Sequence, residues 1–182
     1  MPRADAQRNR ARILMSAKKA FAERGPDAPL DEIARNAGVG NATLYRHFPT
    51  RRDLLIAVYA DEVTELTANG RDLLHHDPPA DALFAWLRAF IAHAADKGDL
   101  ARAIPEDGRS PLFDEWHAAM HATVAPLLAR AQEAGAVRSD LDGPDLLALA
   151  GAIAAAGSGT ARTDRLLRLV REGIATSVPA PD

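Results

Sequence analysis

Side chains that can hydrogen-bond to a phosphate or to the edge of a nucleic-acid base are concentrated between residues 41 and 52. Asn41 and Ala42 open a short predicted helix and face outward on it, so the amide of Asn41 is a candidate for a base-edge contact. Arg46 lies on the same helix and can reach either a base or a phosphate. These residues bind rather than cleave, and they suit a nucleic-acid surface.

Two short helices joined by a tight turn must position these side chains. The pattern predicts helices at about residues 30–37 and 41–48, ended by Pro49. Ala34 is small where the helices approach closely, and Gly38 lies where a left-handed conformation is needed. A small apolar core sets the crossing angle and is formed by Ile33, Ala37, Val39 and Leu44. Leu44 and Phe48 are predicted to be core residues and not DNA contacts. This spacing is that of a helix-turn-helix, whose second helix enters the major groove.

Charge is distributed unevenly along the 182 residues. The net charge is −3, but residues 1–60 carry 11 Lys/Arg against 6 Asp/Glu, and residues 61–182 carry 11 against 19. A basic first third on an acidic remainder is expected when only one end of a protein meets phosphates. Chance clustering of charge is the alternative.

The remaining pattern is helical throughout, so the sequence predicts an all-α fold. A first helix is expected over residues 8–24, and Thr50 with Asp53 predicts a capping box for a fourth helix reaching about Leu74. A fifth helix follows Pro78-Pro79 and is predicted to end at Gly98, with residues 99–109 irregular or briefly helical. A helix from Pro111 to about Ala134 should be kinked or divided by Pro126. Two more are predicted at about 144–156 and 160–176.

The segment LDEIARNAGVGNATLYRHFPTRRDLL, residues 30–55, resembles the DNA-binding region of the TetR/AcrR family of bacterial regulators. The shared features are the AGV turn, the T-L-Y-x-H-F run and a basic residue three positions after the Phe, and the resemblance extends over about residues 8–60. It implies an N-terminal three-helix helix-turn-helix DNA-binding domain, residues 1–52. It also implies a C-terminal helical effector-binding and dimerisation domain, residues 53–182.

The resemblance also implies roles for individual residues. Thr43 and Tyr45 match recognition-helix positions that touch phosphate and groove edge, and His47 matches a common backbone contact. Arg51 occupies the usual Lys position at the start of the fourth helix, where a cation and the helix N-terminus together hold a phosphate. The full set of predicted DNA contacts is Arg35, Asn41, Ala42, Thr43, Tyr45, Arg46, His47 and Arg51.

Each of these residues also has a purely structural interpretation. Tyr45 could pack with its hydroxyl in water, His47 could cover the turn, and Arg51 with Arg52 could form a solvated charged face. One position departs from the family, because Pro29 stands where many members carry a Thr or Ser that caps the second helix and binds phosphate. Asp27 capping and Arg35 reaching outward are possible substitutes.

The last two predicted helices, residues 144–176, form a candidate dimerisation pair. Small residues of the first leave room for close approach of a facing helix, and the second carries an apolar stripe of Leu166, Leu167, Val170 and Ile174. The resemblance implies that this pair packs against its symmetry mate as a four-helix bundle. Burial of the stripe within one chain is the alternative.

Large side chains between residues 84 and 120 are candidates to line a small-molecule pocket, which the resemblance places among the middle helices. Ordinary core packing is the alternative for each. The candidates are Phe84, Trp86, Phe90, Phe113, Trp116, His117 and Met120.

Other classes of function find little support in the composition. Cys is absent, so disulfides, thiolate metal sites and cysteine nucleophiles are excluded. His117 and His121 share a predicted helix face, but without a further motif no metal site and no cofactor are expected. The adjacent acids Glu106 and Asp107 suit a solvated loop rather than an active site. A helical enzyme is therefore the least favoured class.

The expected function is that of a cytoplasmic, homodimeric repressor that a small-molecule effector releases from palindromic double-stranded operator DNA. An activator, an effector-independent regulator or a protein-binding adaptor on the same fold stays open. No membrane partner is expected, since the longest apolar run, residues 146–159, is too short to span a bilayer.

Overall fold

The computed structural model describes residues 2–103, 111–157 and 159–175, with the side chains of residues 2–3, 96–103 and 111–112 left out. Within these ranges it is all-helical, apart from an isolated bridge between Val137 and Ala175. The helices are α1 (Pro2–Arg24), α2 (Leu30–Asn36), α3 (Asn41–His47), α4 (Arg51–Leu73), α5 (Pro79–Ala103), α6 (Pro111–Glu133), α7 (Gly143–Ala155) and α8 (Thr160–Ile174). The predicted fold class is confirmed.

Contacts divide the described residues into two compact units. The first contains residues 2–62 and 96–103, and the second contains residues 63–95 together with the described part of 111–175. The division therefore falls within α4. The assignment of DNA binding to residues 1–52 and of effector binding and dimerisation to residues 53–182 stays a prediction, because compactness does not reveal the role of a unit.

Helix α1 begins at Pro2, six residues earlier than predicted from Arg8. The sequence prediction followed the apolar stripe, which gives no signal in this polar first turn. Pro suits a first helical position, and an ion pair between Asp5 and Arg8, three residues apart, supports the turn. The helix ends at Arg24, as predicted, before Gly25 with φ of +76°.

One apolar cluster holds the first unit together. It joins one face of α1 to the inner sides of α2, α3 and the start of α4, and both Leu44 and Phe48 belong to it as predicted. Ala34 is fully buried, and the carbonyl of Ala34 accepts a hydrogen bond from the N–H of Val39 at 3.0 Å. Close packing at Ala34 thus brings α2 directly against the turn that leads into α3.

The predicted capping box at the start of α4 is confirmed. The Thr50 hydroxyl oxygen accepts from the Asp53 N–H at 3.1 Å, and Asp53 Oδ2 accepts from the Thr50 N–H at 2.9 Å. These bonds satisfy N–H groups that the helix itself cannot. By contrast, α2 begins after Pro29 without a side-chain cap, so the substitute cap from Asp27 is not formed.

The predicted helix end at Gly98 is wrong, and of the two alternatives predicted for Pro126 the division of the helix is excluded. Helix α5 continues through Gly98 to Ala103, since one interior glycine costs only about 1 kcal/mol and the residues that follow are mostly good helix formers. Residues 99–103 are therefore helical, and residues 104–109 lie outside the described residues. Pro126 does not divide α6, which is one helix from Pro111 to Glu133.

The second unit is built on α6, α7 and α8, together with the later part of α4 and with α5 up to Ala95. Asp142 caps α7 by accepting from the Asp145 N–H at 2.8 Å. Two ion pairs tie α5 to α8: Arg88 with Asp164 at 2.5 Å, and Arg171 with Asp81. Gly70 of α4 lies so close to Thr123 and Trp86 that an added Cβ would collide with the Thr123 side chain. This close approach brings α4, α5 and α6 together.

Candidate nucleic-acid interface

Helix α3 buries Leu44 and leaves its other residues exposed or half-buried. Leu44 is buried, whereas Asn41, Ala42 and Arg46 are exposed and Thr43 and His47 are half-buried. Tyr45 is 46% exposed, which is not the environment of a core residue. The structure thus brings the predicted recognition residues together on the accessible side of one short helix.

The turn between α2 and α3 depends on Gly38. This residue has φ of +64°, where residues with a Cβ are strained. Its carbonyl oxygen lies 3.4 Å from Arg12 Nη2, and an added Cβ would collide with that same nitrogen. The Arg12 guanidinium of α1 therefore lies against the turn, a contact that the sequence did not reveal.

Replacing Gly38 by alanine is expected to lower the free energy of unfolding by about 1–2 kcal/mol, because the left-handed backbone disfavours a Cβ and Arg12 must move. Urea denaturation followed by circular dichroism measures the change. Gly40→Ala is the matched control, because Gly40 has φ of −75° and open space around its Cα. Gly40 is the N-cap of α3, where alanine is poorer than glycine, so this variant should lose about 0.5 kcal/mol, which is less than Gly38→Ala. Equal losses in the two variants would contradict the role of the Gly38 conformation.

Asn41 makes a hydrogen bond that ties the two helices of the motif together. Its Nδ2 donates to Asp31 Oδ1 of α2 at 2.9 Å, and both residues are exposed. Sequence reasoning missed Asp31, because an acidic residue in the first turn of a helix has the general role of stabilising the helix dipole. The pairing follows only from the crossing angle of α2 and α3.

Arg51 is half-buried, and it fastens the connection between α1 and α2. Its Nη1 donates to the carbonyl oxygens of Pro26 at 2.8 Å and of Ala28 at 2.6 Å. The interpretation of Arg51 as part of a solvated charged face is wrong, since these two carbonyls hold its guanidinium. Arg52 beside it is exposed.

Ion pairs connect α1 to α4 and to α2 in this unit. Lys18 of α1 lies 2.7 Å from Asp61 of α4. Arg24 of α1 donates to both carboxylate oxygens of Glu32 of α2, one of them at 2.8 Å. The hydrogen bond from Arg24 lowers the pKa of the Glu32 carboxyl below its usual range. Glu32 therefore stays ionised, and the Arg24 guanidinium compensates its charge within the motif.

The cations on the accessible side of the motif differ in their partners. Arg35 lies 3.7 Å from Glu32 with its side chain largely exposed. Within the described residues, neither Arg46 nor Arg52 forms an ion pair. Arg46 and Arg52 are therefore available to an external anion. Arg35 has a long and exposed ion pair with Glu32, which an external anion could replace.

The predicted pocket residues fall into two aromatic pairs and three other positions. Trp86 is fully buried, stacks on Phe90 with ring centroids 5.6 Å apart, and donates from Nε1 to the Leu66 carbonyl at 3.0 Å. Phe113 meets Trp116 edge to face at 5.1 Å. The remaining positions are Phe84 and Met120, which are buried, and His117, which is exposed.

A groove of about 500 Å³ lies between α5 and α8. Of the seven predicted pocket residues, it is lined by Phe84 alone, and the guanidinium of Arg171 lies 5.2 Å from the centroid of that ring. The other walls carry the two ion pairs that tie α5 to α8. The predicted pocket therefore does not coincide with this groove and stays a prediction.

Two further expectations from the sequence are that the protein has no metal site and no membrane partner. Across the described ranges, no three His or acidic side chains are arranged to hold a metal ion, and His117 and His121 are both exposed. No helix in those ranges has the length and hydropathy that crossing a bilayer requires.

The predicted dimerisation helices have exposed apolar residues. Leu149 of α7 is 42% exposed and Leu169 of α8 is 53% exposed. Leu167 and Ile174, by contrast, are buried within the chain, so the predicted stripe of α8 is used in part for internal packing. The stripe alone could not reveal that the outward leucine is Leu169.

Comparisons with known proteins agree with this architecture over most of the chain. Residues 13–58 match the family described as bacterial regulatory proteins, tetR family, and residues 78–176 match the SbtR-like transcriptional regulator C-terminal domain. The chain is 38% identical in sequence to the TetR transcriptional regulator SCO0520 from Streptomyces coelicolor, and it matches the crystal structure of that protein with a TM-score of 0.80. That similarity covers 93% of this chain and 99% of SCO0520.

Two curated relatives match over a shorter part. The transcriptional repressor Rv3405c of Mycobacterium tuberculosis is 40% identical over 40% of this chain and 37% of its own length. The transcriptional activator FasR of Mycolicibacterium smegmatis is 38% identical over 36% of this chain and 30% of its own length. The chain thus aligns with less than half of either relative. The helix-turn-helix, the second helical unit and the full-length similarity to SCO0520 together identify this protein as a DNA-binding transcriptional regulator of the TetR family.

Proposed function

We propose that this regulator is a homodimeric repressor whose α3 helices bind two half-sites of a palindromic operator. The observation that carries the proposal is the accessible side of α3, where Tyr45 and Arg46 are exposed on a helix fixed by a buried core. The excess of cations in residues 1–60 supports it, since phosphates dominate the affinity of such proteins for DNA.

The proposed contacts divide into backbone and base contacts. Thr43, Tyr45 and His47 bind phosphate and groove edge; Tyr45 is exposed, and Thr43 and His47 are half-buried and so remain partly accessible. Asn41 and Arg46 reach the base edges, with Ala42 allowing close approach. These groups lie at the N-terminal part and the accessible side of a recognition helix, where base contacts are made.

Cations outside α3 complete the proposed phosphate contacts. Arg35 reaches outward from α2, and its distance of 3.7 Å from Glu32 leaves it free to turn to a phosphate. Arg51 contributes in two ways: Nη1 fixes the loop before α2, and Arg51 is the first residue of α4, whose N-terminus favours an anion.

We infer that α7 and α8 form the dimer interface. Leu149 and Leu169 offer apolar area there, and an added Cβ at Gly151 or Gly173 would have no atom of the described residues within 4 Å. A second copy could therefore approach these helices closely. A two-fold axis would present two recognition helices to half-sites about 34–36 Å apart.

We further propose that a small-molecule effector binds within the second unit and lowers operator affinity, by coupling between two distinct sites. The aromatic pairs Trp86–Phe90 and Phe113–Trp116 are the proposed apolar walls. Because Trp86 Nε1 already donates to Leu66, polar recognition of the effector falls to other groups. The proposed activity is binding rather than catalysis, and it takes place at the chromosome in the bacterial cytoplasm.

The test is an electrophoretic mobility shift with DNA upstream of the gene of this protein. We expect a mobility shift, and scrambling one half-site of the operator should weaken it. If the complex has 6–10 phosphate contacts, raising the salt from 50 to 200 mM should reduce the affinity by about 10³–10⁵-fold. The proposal fails if no upstream fragment gives a salt-sensitive, palindrome-dependent shift. Deletion of the gene should raise transcription from the bound promoter. A fall would instead indicate an activator, the role stated in the name of FasR.

A further inference from the structure

The contact between Asp31 and Asn41 has a consequence for sequence recognition. Asn41 opens α3 and Asp31 lies in the first turn of α2, ten residues earlier, and their hydrogen bond of 2.9 Å spans the two helices. Both side chains are exposed, so the pair lies at the surface where the proposed operator would approach. No other residue of the motif makes a side-chain hydrogen bond to an exposed residue of α3 within the described chain.

The chemistry of the pair sets the orientation of the Asn41 amide. An ionised carboxylate only accepts hydrogen bonds, so Asp31 must face Nδ2 and cannot face the amide oxygen. Oδ1 is therefore turned away from Asp31. An unrestrained asparagine could rotate its amide by 180° and offer either the oxygen or the nitrogen to a base.

We propose that Asp31 is a positioning residue that sets the base preference of Asn41. By holding Nδ2, Asp31 presents Oδ1 as an acceptor toward the major groove. Adenine N6 and cytosine N4 are the donors that bases offer there, whereas guanine O6 and thymine O4 are acceptors. Asn41 thus selects an amino base, A or C, on the strand that it contacts and disfavours G or T.

Desolvation strengthens this selection. In water an exposed carboxylate–amide bond contributes little, but an operator removes water from the pair, and a carboxylate left without its donor is then costly. Rotating Asn41 to suit a keto base would leave Asp31 facing an acceptor oxygen. The negative charge of Asp31 is unfavourable beside phosphates, so Asp31 lowers the affinity for every operator while it sets the preference among bases.

This inference rests on the proposed operator binding, and the experiment separates the two. Operators carrying each of the four bases at every half-site position are titrated with the wild-type protein, and Asn41→Ala identifies the contacted position by flattening its preference. There the wild type should prefer A or C over G or T by about tenfold. Asp31→Asn has the same shape but can donate as well as accept, so the preference should fall to about twofold or less. The carboxylate of Asp31→Glu still only accepts hydrogen bonds, so this variant should keep the base preference of the wild type.

The design distinguishes positioning from charge. Loss of the Asp31 charge alone would raise affinity equally for all four bases, whereas loss of positioning changes the ratio between them. The inference is overturned if Asp31→Asn leaves the ratio of affinities among the four bases unchanged. It is also overturned if Asn41→Ala abolishes the base preference at no half-site position. In either case the wild-type protein would still shift the operator, and the proposed function would stand. If no DNA is bound, both the proposed function and the base preference are refuted.

The orientation of the amide can also be measured without DNA. In NMR spectra of the free protein, the Asn41 Nδ2 proton resonances should differ between the wild type and Asp31→Asn, because the carboxylate that accepts from Nδ2 is replaced. Resonances that are identical in the two proteins overturn the positioning role irrespective of the binding data.

Discussion

Replacing Tyr45 by alanine is expected to lower operator affinity about 30-fold or more while leaving the fold intact. The side chain is 46% exposed on α3, so its removal takes little from the core. On DNA it would pack against the groove edge and bring its hydroxyl to a phosphate. A loss of about 1 kcal/mol in each of two heads already amounts to about 30-fold. Quantitative mobility shifts at fixed salt measure the change.

Met15→Ala is the matched control for Tyr45→Ala. Met15 is a large apolar residue of the same unit, on α1, and is 68% exposed. Its replacement should leave operator affinity within about twofold of the wild type. Tyr45→Phe separates the phenol hydroxyl from the ring, because only the hydrogen bond is lost. An unchanged affinity in Tyr45→Ala, with sedimentation and thermal unfolding also unchanged, would show that α3 is not the reading helix.

The first unit could be predicted closely because its determinants are local. Gly38 has the left-handed φ that the turn requires, Ala34 is buried where space is short, and Thr50 and Asp53 form the capping box. Each of these features concerns residues a few positions apart. Their physical consequences therefore follow from spacing in the sequence.

Helix ends were less predictable where local preference was overridden. Gly98 and Pro126 both disfavour a helix interior, yet each lies within one. The penalty of a single residue is small or moderate, about 1 kcal/mol for glycine and 3 kcal/mol for proline, whereas packing along a whole helix outweighs it. Pro2 illustrates the converse, since a polar first turn forms without an apolar stripe.

Long-range side-chain contacts could not be predicted at all. Arg51 has the residue type of a phosphate ligand, but its Nη1 binds carbonyls 25 and 23 residues earlier in the chain. Trp86 has the residue type of a pocket wall, but its Nε1 finds the Leu66 carbonyl. In both cases residue type predicts the need for a partner, and only the packing of helices decides which partner meets it.

Replacing Leu169 by glutamate is expected to raise the dissociation constant of the proposed dimer by about 1000-fold or more. Leu169 is 53% exposed on α8, so the carboxylate is solvated in the monomer. In a two-fold interface two such carboxylates would lose water without a partner, at about 2 kcal/mol or more each. Sedimentation velocity over a concentration series measures the shift toward monomer.

The same variant should also lose operator binding, because one helix-turn-helix makes too few contacts for a specific complex. Leu149→Glu on α7 should reproduce both effects, since Leu149 is likewise exposed. Met15→Glu introduces the same charge at an exposed apolar residue of the first unit and should leave the dimer intact. A Leu169→Glu protein that unfolds like the wild type and still sediments as a dimer would exclude α8 from the interface. The two recognition helices would then have to be paired through another surface.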